Sequence, residues 1–286
     1  MKPTEARILL TGAYGGIGEA AAAAFLRAGA ALMLSGRSPA RLAAQSRTMM
    51  GSTGADRPRV EWHCADLTSA ADLARLAEAA RIWKCNTIVH AAGLASFGHL
   101  EAATPESMAC VMQTNLLAPM LLTRALLPHL RSLPRAQVIC VGSALGGIGL
   151  PGYSVYSATK FGLRGFAEAL RRELADSTVL VQYVGPRTTR TPFNSREVDA
   201  YNRATGSAMD DPAVVARSML KMLEEEAPER FLGYPEKLAV RINGMASTLL
   251  DGAFAKHRRS LPALPQEPPD QAGNTLSRTD SFPVNS

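Results

Sequence analysis

Seven short apolar runs, separated by stretches of helical periodicity, constrain the fold of this chain more than any other feature. The runs read as strands at 6–11, 31–35, 59–63, 86–91, 136–142, 178–184 and 230–233. Between them the spacing of apolar residues predicts helices at 17–29, 39–50, 69–83, 105–130, 153–176 and 212–226. A strand of about five consecutive apolar residues is hydrophobic on both faces and has to be covered on both. The alternation therefore predicts an α/β fold: a doubly wound, parallel seven-stranded sheet with helices on both faces, in a single domain. At 286 residues and 47% apolar composition, the chain can fill such a core.

The first strand runs into Thr11-Gly12-Ala13-Tyr14-Gly15-Gly16-Ile17-Gly18, which opens the first helix. Glycines let a backbone approach a pyrophosphate closely, and a helix N-terminus offers free N–H groups and the positive end of its dipole. The strand–loop–helix context favours a dinucleotide site over a tight turn without ligand. The second strand ends in Ser35-Gly36-Arg37. A carboxylate there would bond both ribose hydroxyls and repel a 2′-phosphate. A guanidinium suits a phosphate instead, so Arg37 predicts NADP(H) in preference to NAD(H). The alternative is an ordinary surface or capping charge.

In Ser154-Val155-Tyr156-Ser157-Ala158-Thr159-Lys160 a phenol and an ammonium stand four residues apart, on one face of the expected helix. A phenol ionises only near pH 10, so a nearby cation would make it a better acid or base at neutrality. Alone, this pair also fits a surface tyrosine with a solvated lysine.

Taken together, these stretches resemble the short-chain dehydrogenase/reductase family, over 6–233. The glycine loop fits T-G-x-x-x-G-x-G, which implies cofactor contacts at Gly12, Tyr14, Gly15, Gly16, Ile17 and Gly18. Cys64-Ala65-Asp66-Leu67 resembles the segment that meets the adenine. His90-Ala91-Ala92-Gly93 resembles the family's N-A-G stretch, with His90 and Ala91 in place of the usual asparagines. Asn115 falls at the catalytic asparagine. Ser143 follows the fifth strand by the family's separation from Tyr156, and Tyr156 with Lys160 completes Y-x-x-x-K. After the sixth strand the family shows P-G-x-x-x-T. Here Gly185 and Thr189 match, while Val184 replaces the proline and Arg187 is unusual, in reach of cofactor phosphates or an acidic substrate.

The resemblance implies that Tyr156 acts as general acid and that Lys160 lowers its pKa and bonds the nicotinamide ribose. It further implies that Ser143 stabilises charge on the substrate oxygen and that Asn115 holds a water leading to Lys160. The expected activity is NADPH-dependent reduction of a mainly apolar ketone or 3-oxoacyl-type carbonyl, near Leu145, Ile148, Leu150 and Tyr153, under a lid at 192–211 that carries Phe193, Tyr201 and Met209. The alternatives are an alcohol dehydrogenase acting oxidatively, or a catalytically silent nucleotide-binding regulator. The intact Ser143, Tyr156 and Lys160 argue against the last. The resemblance also implies a homodimer or homotetramer built through the helices at 105–130 and 153–176.

A net charge of +6 suits an anionic ligand, and no nucleic-acid motif appears. Cys64, Cys85, Cys110 and Cys140 form no C-x-x-C pair, and the five histidines lack metal-ligand spacing. Free, buried thiols in a reducing, cytoplasmic setting and no metal site are expected. The N-terminus does not read as a signal peptide, and no charge-free apolar window long enough to span a membrane is present. The catalytic domain is expected at 1–236. At 237–259 an amphipathic helix with a basic last turn follows, packed on the lid, the core or a second subunit. Its alternative is peripheral contact with an anionic membrane. The Pro- and Ser-rich tail at 260–286 reads as disordered.

Overall fold

The computed structural model describes residues 1–51 and 59–263 of the chain. From residue 264 onward, the tail read as disordered lies outside the described residues. The strands are β1 Arg7–Thr11, β2 Ala31–Gly36, β3 Val60–Cys64, β4 Thr87–His90, β5 Ala136–Val141, β6 Val179–Gly185 and β7 Glu229–Phe231. They form one parallel sheet in the order β3-β2-β1-β4-β5-β6-β7. The helices are α1 Gly16–Arg27, α2 Pro39–Gly51, α3 Ala70–Ile82, α4 Pro105–Met112, α5 Ala118–Arg131, α6 Ser154–Glu173, α7 Arg196–Thr205, α8 Pro212–Glu225, α9 Glu236–Ala246 and α10 Ala255–Arg259.

Strand periodicity decides which core each side chain joins. Ile8 and Leu10 of β1 pack with Phe25 of α1 and Met219 of α8, on one face of the sheet. Leu9, between them, points the other way, to Leu76 of α3, Leu122 of α5 and Leu163 of α6. All of these are essentially inaccessible to water, and full burial contributes about 1.5–3 kcal/mol for each large apolar side chain. Polar caps set the helix starts: Ser69 accepts from the Asp72 N–H at α3, and Asp211 accepts from the Ala213 N–H at α8.

The helix expected at 105–130 is not continuous. A π-turn at Gln113–Leu117 separates α4 from α5. Pro119 accounts for it, since it has no N–H for the Asn115 carbonyl four residues back, and its ring crowds that carbonyl. By length and composition Pro105–Arg131 is apolar enough to cross a membrane, contrary to the expectation that no such helix exists. Its apolarity serves the core here, with Leu122, Leu126 and Leu130 buried.

The single amphipathic helix expected at 237–259 is also broken, into α9, a 3₁₀ segment Ser247–Phe254 and α10. Gly252 and the Ser247-Thr248 pair weaken the helix in the middle. Both ends pack on the body of the protein: Val240 is buried, Asn243 donates to the Gly147 carbonyl (3.0 Å), and Lys256 donates to the Thr205 carbonyl (3.1 Å). The four cysteines are free thiols. Cys85 and Cys140 are buried as expected, but Cys110 is exposed.

Candidate active site

Connections leave β1 and β4 in opposite directions, and these neighbours make the sheet's switch point, where a crevice opens beyond the carboxyl ends of the strands. A cavity of about 700 Å³ lies there. Its walls meet so closely that a Cβ at Gly12 would sit 2.7 Å from the Ala92 backbone, and one at Gly18 would sit 2.1 Å from the Gly12 carbonyl. At the start of α1, Gly15 offers no capping side chain, so the first-turn amides face the cavity without a side-chain acceptor. The cradle and its unpartnered donors fit a pyrophosphate.

Tyr14 fixes the far end of this site. Its hydroxyl accepts from the Arg37 and Ser38 N–H groups, at 2.9 and 3.1 Å. Its ring passes where a Cβ at Gly36 would come within 2.5 Å. Arg41 stacks on that ring at 4.2 Å and, with Arg37, places two guanidinium groups on the cavity wall. Arg41 was not singled out from the sequence, although it lies one helical turn beyond Arg37. Nearby, the buried Ser35 hydroxyl has no partner, and Asp66 accepts from the Thr68 N–H and hydroxyl at 2.9 and 2.8 Å.

At the other end, β5 and α6 bring Ser143, Tyr156 and Lys160 to the same wall. The Ser143 hydroxyl oxygen accepts from the Leu145 N–H (3.0 Å) and lies beside the Tyr156 phenol. The Lys160 ammonium donates to the Val141 carbonyl (3.2 Å) and stands 5.4 Å from the centre of the Tyr156 ring. Burial pushes the Tyr156 phenol above its ordinary range, and the Ser143 hydroxyl pulls it part of the way back. Burial draws Lys160 down to about 8, with Cys140 acting in the opposite direction. The expected depression of the phenol's pKa by Lys160 is therefore not what the geometry gives: desolvation dominates, and the phenol is held in its protonated form.

Gly12, Tyr14, Gly15, Gly16, Ile17, Gly18, Arg37, Asp66, Leu67, Ala92, Gly93 and Thr189 line the cavity, as do Ser143, Tyr156 and Lys160. Asn115 and Gly185 do not. The Asn115 side chain, 1% exposed, accepts from the Leu94 N–H (2.7 Å) and donates to the Leu94 carbonyl (2.9 Å), which pins the segment behind Gly93. Gly185 makes room for β7, since a Cβ there would lie 2.4 Å from the Phe231 ring. Arg187 lines the cavity, and its guanidinium is paired there with Asp210 (2.7 Å) and Glu236 (3.5 Å).

The remaining wall is aromatic and apolar. Leu145, Ile148, Leu150 and Tyr153 line it as expected, with Phe193 and Tyr201 from the segment at 192–211, while Met209 does not reach it. Within that segment, α7 is capped by Ser195 and ends at Gly206 in the left-handed region (φ 76°). Phe254 and His257 also line the cavity, and His257 Nδ1 pairs with the Tyr201 hydroxyl at 2.8 Å. Neither was singled out for the pocket, because nothing local in the sequence ties the C-terminal segment to the lid.

The profile of the family described as short chain dehydrogenase matches residues 6–202. A protein of Bos taurus, dehydrogenase/reductase SDR family member 7B, is 30% identical over 267 residues, which cover 88% of this chain and 81% of that protein. A short chain dehydrogenase/reductase from Burkholderia phymatum, solved in complex with NAD, has a TM-score of 0.77 at 19% identity, covering 87% of this chain and 96% of the other. A short-chain dehydrogenase from Sphingobium yanoikuyae, solved in complex with NADPH, has a TM-score of 0.70 at 26% identity, covering 86% and 96%.

Proposed function

The chain belongs to the short-chain dehydrogenase family and is an NAD(P)-dependent oxidoreductase, and from that premise we propose that it uses NADPH to reduce the carbonyl of a mainly apolar ketone or 3-oxoacyl-type compound. The observation that carries this reading is the convergence of Ser143, Tyr156 and Lys160 on the cavity that the glycine loop enters. The nicotinamide cofactor supplies the hydride. Tyr156, held protonated by burial, is the general acid that gives its proton to the carbonyl oxygen. Ser143 accepts from the Leu145 N–H, which leaves its own O–H, beside the Tyr156 phenol, to donate to that oxygen and stabilise the developing charge. Lys160 contacts the nicotinamide ribose and carries the replacement proton towards Tyr156. The Asn115 side chain is engaged by Leu94, so its main-chain carbonyl, which Pro119 cannot serve, is the acceptor left for a water leading to Lys160.

Arg37, just after β2, and Arg41, in α2, support NADP(H) over NAD(H), and a preference for NADP(H) favours reduction over oxidation. The aromatic and aliphatic wall supports an apolar substrate. Purified protein is expected to consume NADPH, and NADH more slowly, with ketones or 3-oxoacyl thioesters of apolar body, followed at the nicotinamide absorbance band. Tight NADPH binding with no turnover across such a panel, in either direction, would instead favour the silent regulator.

Two further features bear on partners and location. The face formed by α4, α5 and α6 leaves Met112, Leu117, Met120 and Phe161 exposed, which supports a homodimer or homotetramer built through these helices. Four free thiols support a cytoplasmic setting. On the outer face of α9, Leu238, Ile242 and Met245, with Tyr234 just before it, are exposed beside Lys237 and Arg241. That combination supports peripheral contact with anionic lipid as a second reading. Flotation with anionic liposomes should then fall several-fold in Leu238→Glu/Met245→Glu, and equal flotation of the variant would remove the idea.

A further inference from the structure

Tyr183 of β6 is a buried group that the reaction outlined above does not use. It is 1% exposed, and its hydroxyl makes two hydrogen bonds to one residue: it accepts from the Ser143 N–H (3.1 Å) and donates to the Ser143 carbonyl (2.9 Å). The backbone explains why this matters. Beyond β5, the Gly142 and Ala144 N–H groups pair with the Val184 and Pro186 carbonyls on the β6 side, at 2.8 and 2.7 Å. Ser143, between them and extended (φ −163°, ψ 162°), presents its N–H and C=O to the opposite side. The strand on that side, β4, has already ended at His90, paired with Cys140. One phenolic oxygen therefore stands in for the missing strand edge at Ser143, whose carbonyl also accepts from the Gly146 N–H (2.9 Å).

The surrounding residues are shaped for this ring. A Cβ at Gly142 would lie 2.0 Å from the Tyr183 ring and 2.1 Å from its oxygen, so the ring crosses the chain at a position that only glycine can occupy. A Cβ at Gly146 would lie 2.1 Å from the same oxygen and 2.7 Å from the Lys160 carbonyl. The hydroxyl is thus wedged where the loop after β5 meets α6, against the two elements that carry Ser143 and Lys160. We infer that Tyr183 is a positioning residue for the reaction. By holding the Ser143 main chain on both its polar groups, it fixes where the Ser143 hydroxyl meets the substrate oxygen. This rests on the role proposed for Ser143. Misplacement of a reacting group by about 1 Å can cost on the order of 10²-fold in rate.

The test is a double-mutant cycle with Tyr183→Phe, which removes the oxygen and keeps the ring against Phe231, and Ser143→Ala. Tyr183→Phe is expected to lower kcat by about 10- to 100-fold, with the Kd for NADPH, read by fluorescence, unchanged. In the Ser143→Ala background it is expected to add almost nothing. Losses that multiply would show a general structural role and overturn the inference, as would a Tyr183→Phe enzyme with wild-type kcat. If Ser143→Ala itself kept full turnover, the role of Ser143 would fail first, and this inference with it. Amide exchange gives a readout without turnover: the peptide spanning 142–147 should exchange faster in Tyr183→Phe, and unchanged protection would also overturn the inference. Should Tyr183→Phe not fold, Gly142→Ala, which displaces the ring and keeps its hydroxyl, is expected to show the same coupling to Ser143→Ala. Independent losses there would count against it.

Discussion

Tyr156→Phe is expected to lower the turnover of carbonyl reduction by about 10²–10⁴-fold, the range for loss of a positioned general acid, and to leave NADPH affinity within about twofold of wild type. The substitution removes one oxygen and keeps a ring of the same shape. The edge contact with Tyr153 (6.2 Å between centroids) and the tilted contact with Phe193 (6.1 Å) survive, as does the Tyr156 main-chain carbonyl that accepts from Thr159 (2.7 Å). Folding and pocket shape should therefore hold, and the loss should sit in the chemical step. Ser143 cannot take over, because a serine hydroxyl can donate a hydrogen bond but is a far weaker acid than a phenol. Burial disfavours the phenolate, so the proton is in place when the carbonyl arrives. Single-turnover absorbance traces with enzyme and NADPH premixed would separate chemistry from product release. A variant that reduces its substrate at the wild-type rate would remove Tyr156 from the role of acid.

How much of this was legible in the sequence depends on the distance over which each contact acts. Tyr156 and Lys160 share a helical turn, and the glycine loop is continuous, so each was visible as a local motif, and the family resemblance joined them into one site. Ser143 was found through the family's separation from Tyr156 and its place just past a strand end, where side chains of an open α/β sheet reach the crevice. Arg187 shows the opposite case. Its charge was visible, but its partners Asp210 and Glu236 come from just before α8 and the start of α9, and only the folded chain brings them together. Gly185 was read as a cofactor contact from its place in a motif, while the atom that requires a glycine there belongs to Phe231. The interruption at Gln113–Leu117 was in principle readable from Pro119, but apolar periodicity continued through it and outweighed the missing N–H. Local chemistry was readable; pairings set by tertiary packing were not.

The second large effect is expected at the other end of the cavity. Replacing both Arg37 and Arg41 by alanine should raise the Kd for NADPH by about 10²-fold and change that for NADH by less than about threefold. A charge-assisted hydrogen bond is worth about 1.5–3 kcal/mol, and both side chains are exposed, so the lower end applies to each. Two such bonds give about 3 kcal/mol, which is roughly 10²-fold in affinity. The geometry explains why the pair acts together. Tyr14 holds the Arg37 and Ser38 N–H groups with its hydroxyl and supports the Arg41 guanidinium on its ring, so one residue of the glycine loop fixes both the main chain that carries Arg37 and the Arg41 side chain. Each single alanine variant should therefore lose part of the discrimination. Lysine at both positions should recover some of it, because charge returns without the planar fork. The effect should shrink as salt rises, since the contact is screened. Titration of intrinsic fluorescence with each cofactor at two salt concentrations reads all of these arms. Equal weakening of NADH and NADPH would mean that the arginines support the adenosine as a whole, and unchanged NADPH affinity would mean that the chain does not select the 2′-phosphate through this wall.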